Sequence, residues 1–157
     1  MVYYHFVAIA SNTFPAGSVV ILPDVLVLAP TLTKIAHNPD TVTNIGSALQ
    51  AMIHDPRNAW TSSKLEIPSI TFNTTSASLN VVLQGEINGV GDVVHVVARM
   101  QILMTVFAEA SVQSATILLN GENIANMGIR HSSEAKPVGY AYTRAEIEKF
   151  MAENAYQ

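Results

Sequence analysis

The stretch SASLNVVLQGEINGVGDVVHVVARMQILMTVFAEASVQSATILLNGENI, residues 76–124, reads as strand, long helix, strand and turn, and its reading decides the fold. Its first part alternates. Ala77, Leu79, Val81 and Leu83 point one way, and Ser78, Asn80, Val82 and Gln84 point the other. A period of two marks a half-buried strand. From Gly91 the period lengthens: Val93, Val96, Val97, Met100, Leu103, Met104 and Phe107 recur at helical spacing as one apolar stripe about four turns long. Residues 115–119 return to strand, and Asn120-Gly121 is the pair best suited to a tight type I′ turn. A helix this apolar must lie on a sheet, and its two flanking strands are the nearest sheet available.

Outward from this unit, residues 2–10 are rich in β-branched and aromatic side chains and read as a first strand. Residues 19–28 form a second extended run, which Pro23 confines to an edge or a bulge. Residues 29–39 read as a transition with short extended pieces. A first helix is expected from Asp40 or Thr41, capped by Asp40, with Val42, Ile45, Leu49, Met52 and Ile53 on its apolar face and Asp55-Pro56 as its stop. Ile70 and Phe72 belong to a third strand that turns at Thr74-Thr75-Ser76 into the fourth. Thr143-Arg144-Ala145-Glu146 is a capping box and opens a terminal helix with Ile147, Phe150 and Met151 on one side. The expected architecture is therefore α+β: a mixed sheet in the order β-β-α-β-β-α-β, two main helices packed on one face, and a C-terminal helix over about 143–154. All 157 residues are expected to form a single domain.

Composition narrows the function. Hydrophobic residues make up 49% and charged residues 13%, so the chain has a well-filled interior and a surface of Ser, Thr, Asn and Gln. The net charge is −4 and the eight Lys and Arg stand singly, which argues against nucleic acid as a partner. The absence of cysteine rules out disulfides, thiolate metal sites and a cysteine nucleophile. No segment has the length of unbroken apolar sequence a bilayer-spanning helix needs. The opening MVYYHFVAIA lacks the basic start of a signal peptide and reads as a strand.

No reaction chemistry is evident. The five histidines never stand three or four apart, and no Gly-x-Ser-x-Gly elbow is present. His95 and Asp92 lie near the start of the long helix, where Asp92 suits a capping role; a hydrolase would have to gather them with a serine. Gly85, Gly89 and Gly91 match no phosphate-binding pattern and read as turn glycines. No cofactor or metal is expected. Two features suggest contact instead. Val94, Ile102 and Val106 are apolar off the main stripe of the long helix, so that helix is either buried more widely, for instance under the terminal helix, or meets a partner through them. Trp60, Tyr140 and Tyr142 are the residues from which a small-ligand cleft would be built.

Residues 45–127 resemble the GerMN domain, a module of bacterial sporulation, spore-germination and envelope proteins. The resemblance rests on the helix Ser47-Ala48-Leu49-Gln50-Ala51-Met52-Ile53-His54-Asp55-Pro56, on Trp60-Thr61-Ser62 and Ile67-Pro68, on the hairpin of residues 70–87, on Gln101-Ile102-Leu103-Met104-Thr105-Val106-Phe107-Ala108, and on the strand and turn of residues 115–124. Residues 82–84 depart from the usual Asp-Leu-Ser ending, and the first forty residues and the terminal helix lie outside the pattern. The resemblance implies a GerMN-like core over about 40–130 and a non-catalytic module acting by protein–protein contact or self-association. It also implies an extracytoplasmic location, the lipid anchor, where there is one, lying on a segment ahead of Met1. The alternative function is binding of a glycan or peptidoglycan fragment.

Overall fold

The computed structural model describes the backbone of residues 2–9, 16–22, 26–34, 38–60, 64–87, 92–128 and 132–155, with side chains at 6–8, 16–21, 27–31, 38–60, 64–87, 94–128 and 133–155. The fold is α+β. Strands β1 (Val2–Ile9), β2 (Val19–Leu22) and β3 (Leu26–Lys34) form an antiparallel sheet in the order β1-β3-β2. Helix α1 (Thr41–His54) follows, then the hairpin β4 (Glu66–Asn73) and β5 (Ser78–Gln84). Helix α2 (Asp92–Phe107) crosses over from β5 to β6 (Ser114–Leu119), which pairs with β5 in parallel. Two short strands, β7 (Glu122–Asn123) and β8 (Tyr142–Thr143), add antiparallel to the far side of β6, and α3 (Arg144–Glu153) ends the fold.

Local chemistry sets the element ends. Asp40 caps α1, its carboxylate accepting from the Thr43 amide at 3.2 Å and the Thr43 hydroxyl at 2.7 Å. Thr143 and Glu146 complete both halves of the capping box on α3. Asn120 and Gly121 take φ values of 51° and 83°, the left-handed pair a type I′ turn requires between Leu119 and Glu122. Along β5, Leu79, Val81 and Leu83 are buried, as the alternation requires.

Strands β1, β2 and β3 depart from the expectation of one mixed sheet. They form a sheet of their own, and residues 29–34 continue strand β3 where short extended pieces were expected. Pro23 lies outside the described residues. The separate sheet is possible because α2 supplies the hydrogen bonds that a neighbouring strand would otherwise give to β1. The Phe6 amide donates to Thr105 Oγ1 at 3.1 Å, and the Gln101 amide nitrogen donates to the Phe6 carbonyl at 2.7 Å. Both backbone groups of Phe6 thus point away from β3, and Pro30, its partner there, costs no ladder bond with β1. The Ala8 amide continues the edge, donating to the Arg57 carbonyl at 2.8 Å. An otherwise open strand edge is closed by helix side chains.

This second sheet corrects the reading of the helix flank. Residues 100–107 of α2 are all buried, and Ile102 and Val106 are 0% exposed. They form no free surface. Helix α2 has α1, β1 and α3 as neighbours besides the strands it connects, and these account for the apolar residues off its main stripe. Val94, two turns nearer the helix start than Ile102, is half-buried. One hydrophobic cluster runs from Phe6 through Leu28, α1, β5, α2 and β6 to Ile147.

Within that cluster Gln101 is fully buried and uses both ends of its amide, since Oε1 also accepts from the Ala59 amide at 2.9 Å. Gln101→Leu keeps the volume but strands the Ala59 amide and the Phe6 carbonyl. The expected loss is about 2 kcal/mol, because unpaired buried groups lose their full solvation. Urea unfolding of the variant measures it.

Candidate functional site

The candidate site is the hollow at the carboxyl ends of the parallel pair β5 and β6, beside the first turn of α2. Its volume is 490 Å³, and its walls include Glu86, His95, Asn120, Glu122, Asn126 and Met127. Parallel strands joined by a helix place their ends and the helix start together, which is where such units present polar groups.

Three asparagines spaced three apart build one side. Asn120 donates from Nδ2 to the Gly85 carbonyl at 2.7 Å and accepts at Oδ1 from the Gly85 amide at 3.1 Å, imitating one more rung of the β5–β6 ladder. Asn123, 2% exposed, donates to the Val138 and Tyr140 carbonyls, each at 2.8 Å, and accepts from the Ala125 amide. Asn126 exchanges two hydrogen bonds with the Lys136 backbone, at 2.9 and 2.7 Å. Arg99 secures the same turn from α2, donating from Nη1 to the Ala125 carbonyl at 3.2 Å and the Met127 carbonyl at 2.7 Å. These side chains fix the wall and leave His95, Glu86 and Glu122 as its ionisable groups.

Among the described residues no three His, Asp or Glu side chains are grouped to hold a metal ion. Asp92 opens α2, but its side chain lies outside the described residues, as do those of His5, His37 and His131. His54 is committed to its own helix, with Nδ1 2.8 Å from the Gln50 carbonyl.

The aromatic cleft expected from Trp60, Tyr140 and Tyr142 is not formed. Trp60 is 3% exposed and belongs to the hydrophobic cluster, so it offers no open face to a ligand; its Nε1 is buried without a hydrogen-bond partner. The tyrosines meet each other edge to face at 5.2 Å beside α3. Neither the hollow described above nor the apolar groove formed by Phe6, Pro30, Met104, Phe107 and Met151 includes any of the three.

Tyr140 donates its hydroxyl to Glu146 Oε2 at 2.7 Å. Burial first, and then that hydrogen bond, push its pKa up to about 12 from the ordinary 10.0. Because the folded value lies above the unfolded one, the stabilisation is complete below pH 10.0 and is lost as pH rises toward 12. Tyr140→Phe is expected to flatten the fall in stability over that range, measured by thermal melts at successive pH values; an unchanged profile would assign the fall to other groups.

Comparison with known families, with curated proteins and with solved structures finds no match to this chain. Among the described residues no helix is long and apolar enough to cross a membrane.

Proposed function

We propose that this chain is a non-catalytic assembly module of the bacterial cell envelope or sporulation machinery, working by self-association through the uncovered face of its larger sheet. The GerMN-like pattern of residues 45–127 supports the envelope setting. The observation that carries the contact is the surface left open by β4, β5 and β6. On that face the register aligns Thr71 with Asn80 and Thr116, and Ser69 with Val82 and Leu118. From Ser69 onward the paired positions carry no ionisable side chain, and Glu66, opposite Gln84, brings a carboxylate only at the end of that face.

A neutral face of hydroxyls and amides around two aliphatic residues is self-complementary. Each group both donates and accepts, and two copies meet without like-charge repulsion. Strand β4 also ends the sheet, leaving one edge without a strand. Size sets the strength. Three strands of about five residues cover roughly 14 by 17 Å, well below the ~800 Å² per partner of a standard stable interface. Association is therefore expected to be weak for a single pair and to matter where many copies are held close together.

Sedimentation velocity across a wide concentration range tests this reading. The mass is expected to rise with concentration for the natural chain and to stay monomeric for Val82→Lys and Leu118→Lys, with thermal melts showing that both variants remain folded. A monomer at every concentration, or association untouched by both lysines, sinks the self-association. Recovery of the protein from the cytosol of its source cells would sink the envelope location. The glycan alternative loses the cleft it was built on, since Trp60 is sealed in the core.

A further inference from the structure

We propose that Asn120 is a site of spontaneous deamidation, held off by its clasp with Gly85, and that conversion there releases this wall of the hollow. The sequence supplies the chemistry. Asparagine followed by glycine leaves the next backbone nitrogen with no side chain beside it, and a Cβ placed at Gly121 would meet no atom within 4 Å apart from those of its two chain neighbours. Asn120 is also exposed, so water reaches the reacting atoms.

In the reaction, the Gly121 backbone nitrogen attacks Asn120 Cγ. The new N–Cγ bond forms, the Cγ–Nδ2 bond breaks, and ammonia leaves with the proton from the Gly121 nitrogen. Water then opens the resulting five-membered imide at either carbonyl, giving aspartate or isoaspartate. Only solvent water is consumed, and nothing is oxidised or reduced.

The fold opposes the first step. Both ends of the Asn120 amide are held by Gly85, at 2.7 Å and 3.1 Å, and the Asn120 amide proton is donated to the Leu83 carbonyl at 3.0 Å. The leaving atom Nδ2 is the one that donates to Gly85, so Cγ cannot turn toward the Gly121 nitrogen until the clasp opens. Local opening therefore gates the chemistry. The product can remake only half of the clasp, accepting from the Gly85 amide. A carboxylate puts an acceptor against the Gly85 carbonyl where a donor stood, and isoaspartate adds a methylene to the backbone of a turn that depends on two left-handed residues. Because Asn120, Glu122 and Asn123 all line the hollow, that wall loses its anchor to β5.

The full chain is aged at mildly alkaline pH, folded and in urea, and the digest is read by mass spectrometry with isoaspartate resolved. Asn88, which Gly89 follows and which lies outside the described residues, reports that the chemistry ran. Asn120 is expected to convert readily in urea and at least about tenfold more slowly when folded, the protection a modest local opening free energy gives. Equal rates in the two conditions would overturn the gating, and no conversion in urea would overturn the site. The folded, aged product and Asn120→Asp are both expected to lose hydrogen-exchange protection at the backbone amide of residue 120, which donates to the Leu83 carbonyl of β5. Full protection in both would overturn the claim that the wall is released; using the aged product as well keeps the test valid if the variant folds poorly.

Discussion

Gly85→Ala is expected to destabilise this protein by roughly 3 kcal/mol or more. Gly85 has φ +134°, a conformation that side chains strain to adopt, and a Cβ there would stand 2.2 Å from the Lys64 carbonyl oxygen and 3.0 Å from Leu65 Cα. Those neighbours are backbone at the entry to β4, so they cannot swing aside as a side-chain tip would. Moving Gly85 instead breaks both hydrogen bonds of the Asn120 clasp. For a chain of this size the loss corresponds to a melting point lower by roughly 6–12 °C. Gly121→Ala is the control. Its φ of +83° carries strain, but the added Cβ meets open space, so the expected cost is only about 1–2 kcal/mol. Equal melting points for the two variants would show that the close approach at Lys64 is relieved by backbone movement.

What was legible in the sequence follows from the range of the interactions concerned. Period, caps and turns are local, and the strand–helix–strand unit, the Asp40 cap, the Thr143 capping box and the Asn120-Gly121 turn all stand as read. The surplus of apolar residues on α2 was also legible, but its meaning was not. Ile102 and Val106 look like a contact surface only while the first strands are assigned to the same sheet as β5. Once β1 lies against α2, they are interior. Gln101 and Thr105, ordinary polar residues in a helical pattern, turn out to hold a strand edge from about a hundred positions away. No periodicity encodes such a pairing.

The candidate site was less legible still. Trp60 sits in a polar stretch after α1, and that setting suggests exposure, yet the loop folds inward and buries the ring. The wall of the hollow did leave a signal, the spacing Asn120, Asn123, Asn126. Asparagine favours hydrogen bonds to nearby backbone, and three in one turn-rich stretch mark a segment pinned by side chains. Which backbone each one pins depends on residues 85, 136, 138 and 140, and the topology brings those together only after folding.

Arg144 is the second residue where one substitution should be costly. Helix α2 ends without a basic residue in its last turn, and its final carbonyls lack partners within the helix. Arg144 supplies them from the start of α3. Its Nη2 donates to the Phe107 carbonyl at 3.0 Å and the Glu109 carbonyl at 2.7 Å, and its Nε donates to the Val112 carbonyl at 2.8 Å. The guanidinium also lies 5.5 Å from the centre of the Phe107 ring. One side chain therefore caps the central helix, orders the turn into β6 and docks α3. Arg144→Ala is expected to cost about 3 kcal/mol, since hydrogen bonds from a charged donor are worth more than neutral ones and three carbonyls lose theirs together. Arg144→Lys should recover little, because an ammonium is a point donor and cannot reproduce a planar fork spread over three acceptors. The ion pair with Glu148, at 3.3 Å and with the carboxylate 64% exposed, is a minor part, and Glu148→Ala should change stability by less than about 0.5 kcal/mol. Urea unfolding ranks the three variants, and hydrogen exchange locates the damage at the end of α2 and along α3. A lysine variant as stable as the natural chain would show that charge alone secures the helix end, and that the fork is dispensable.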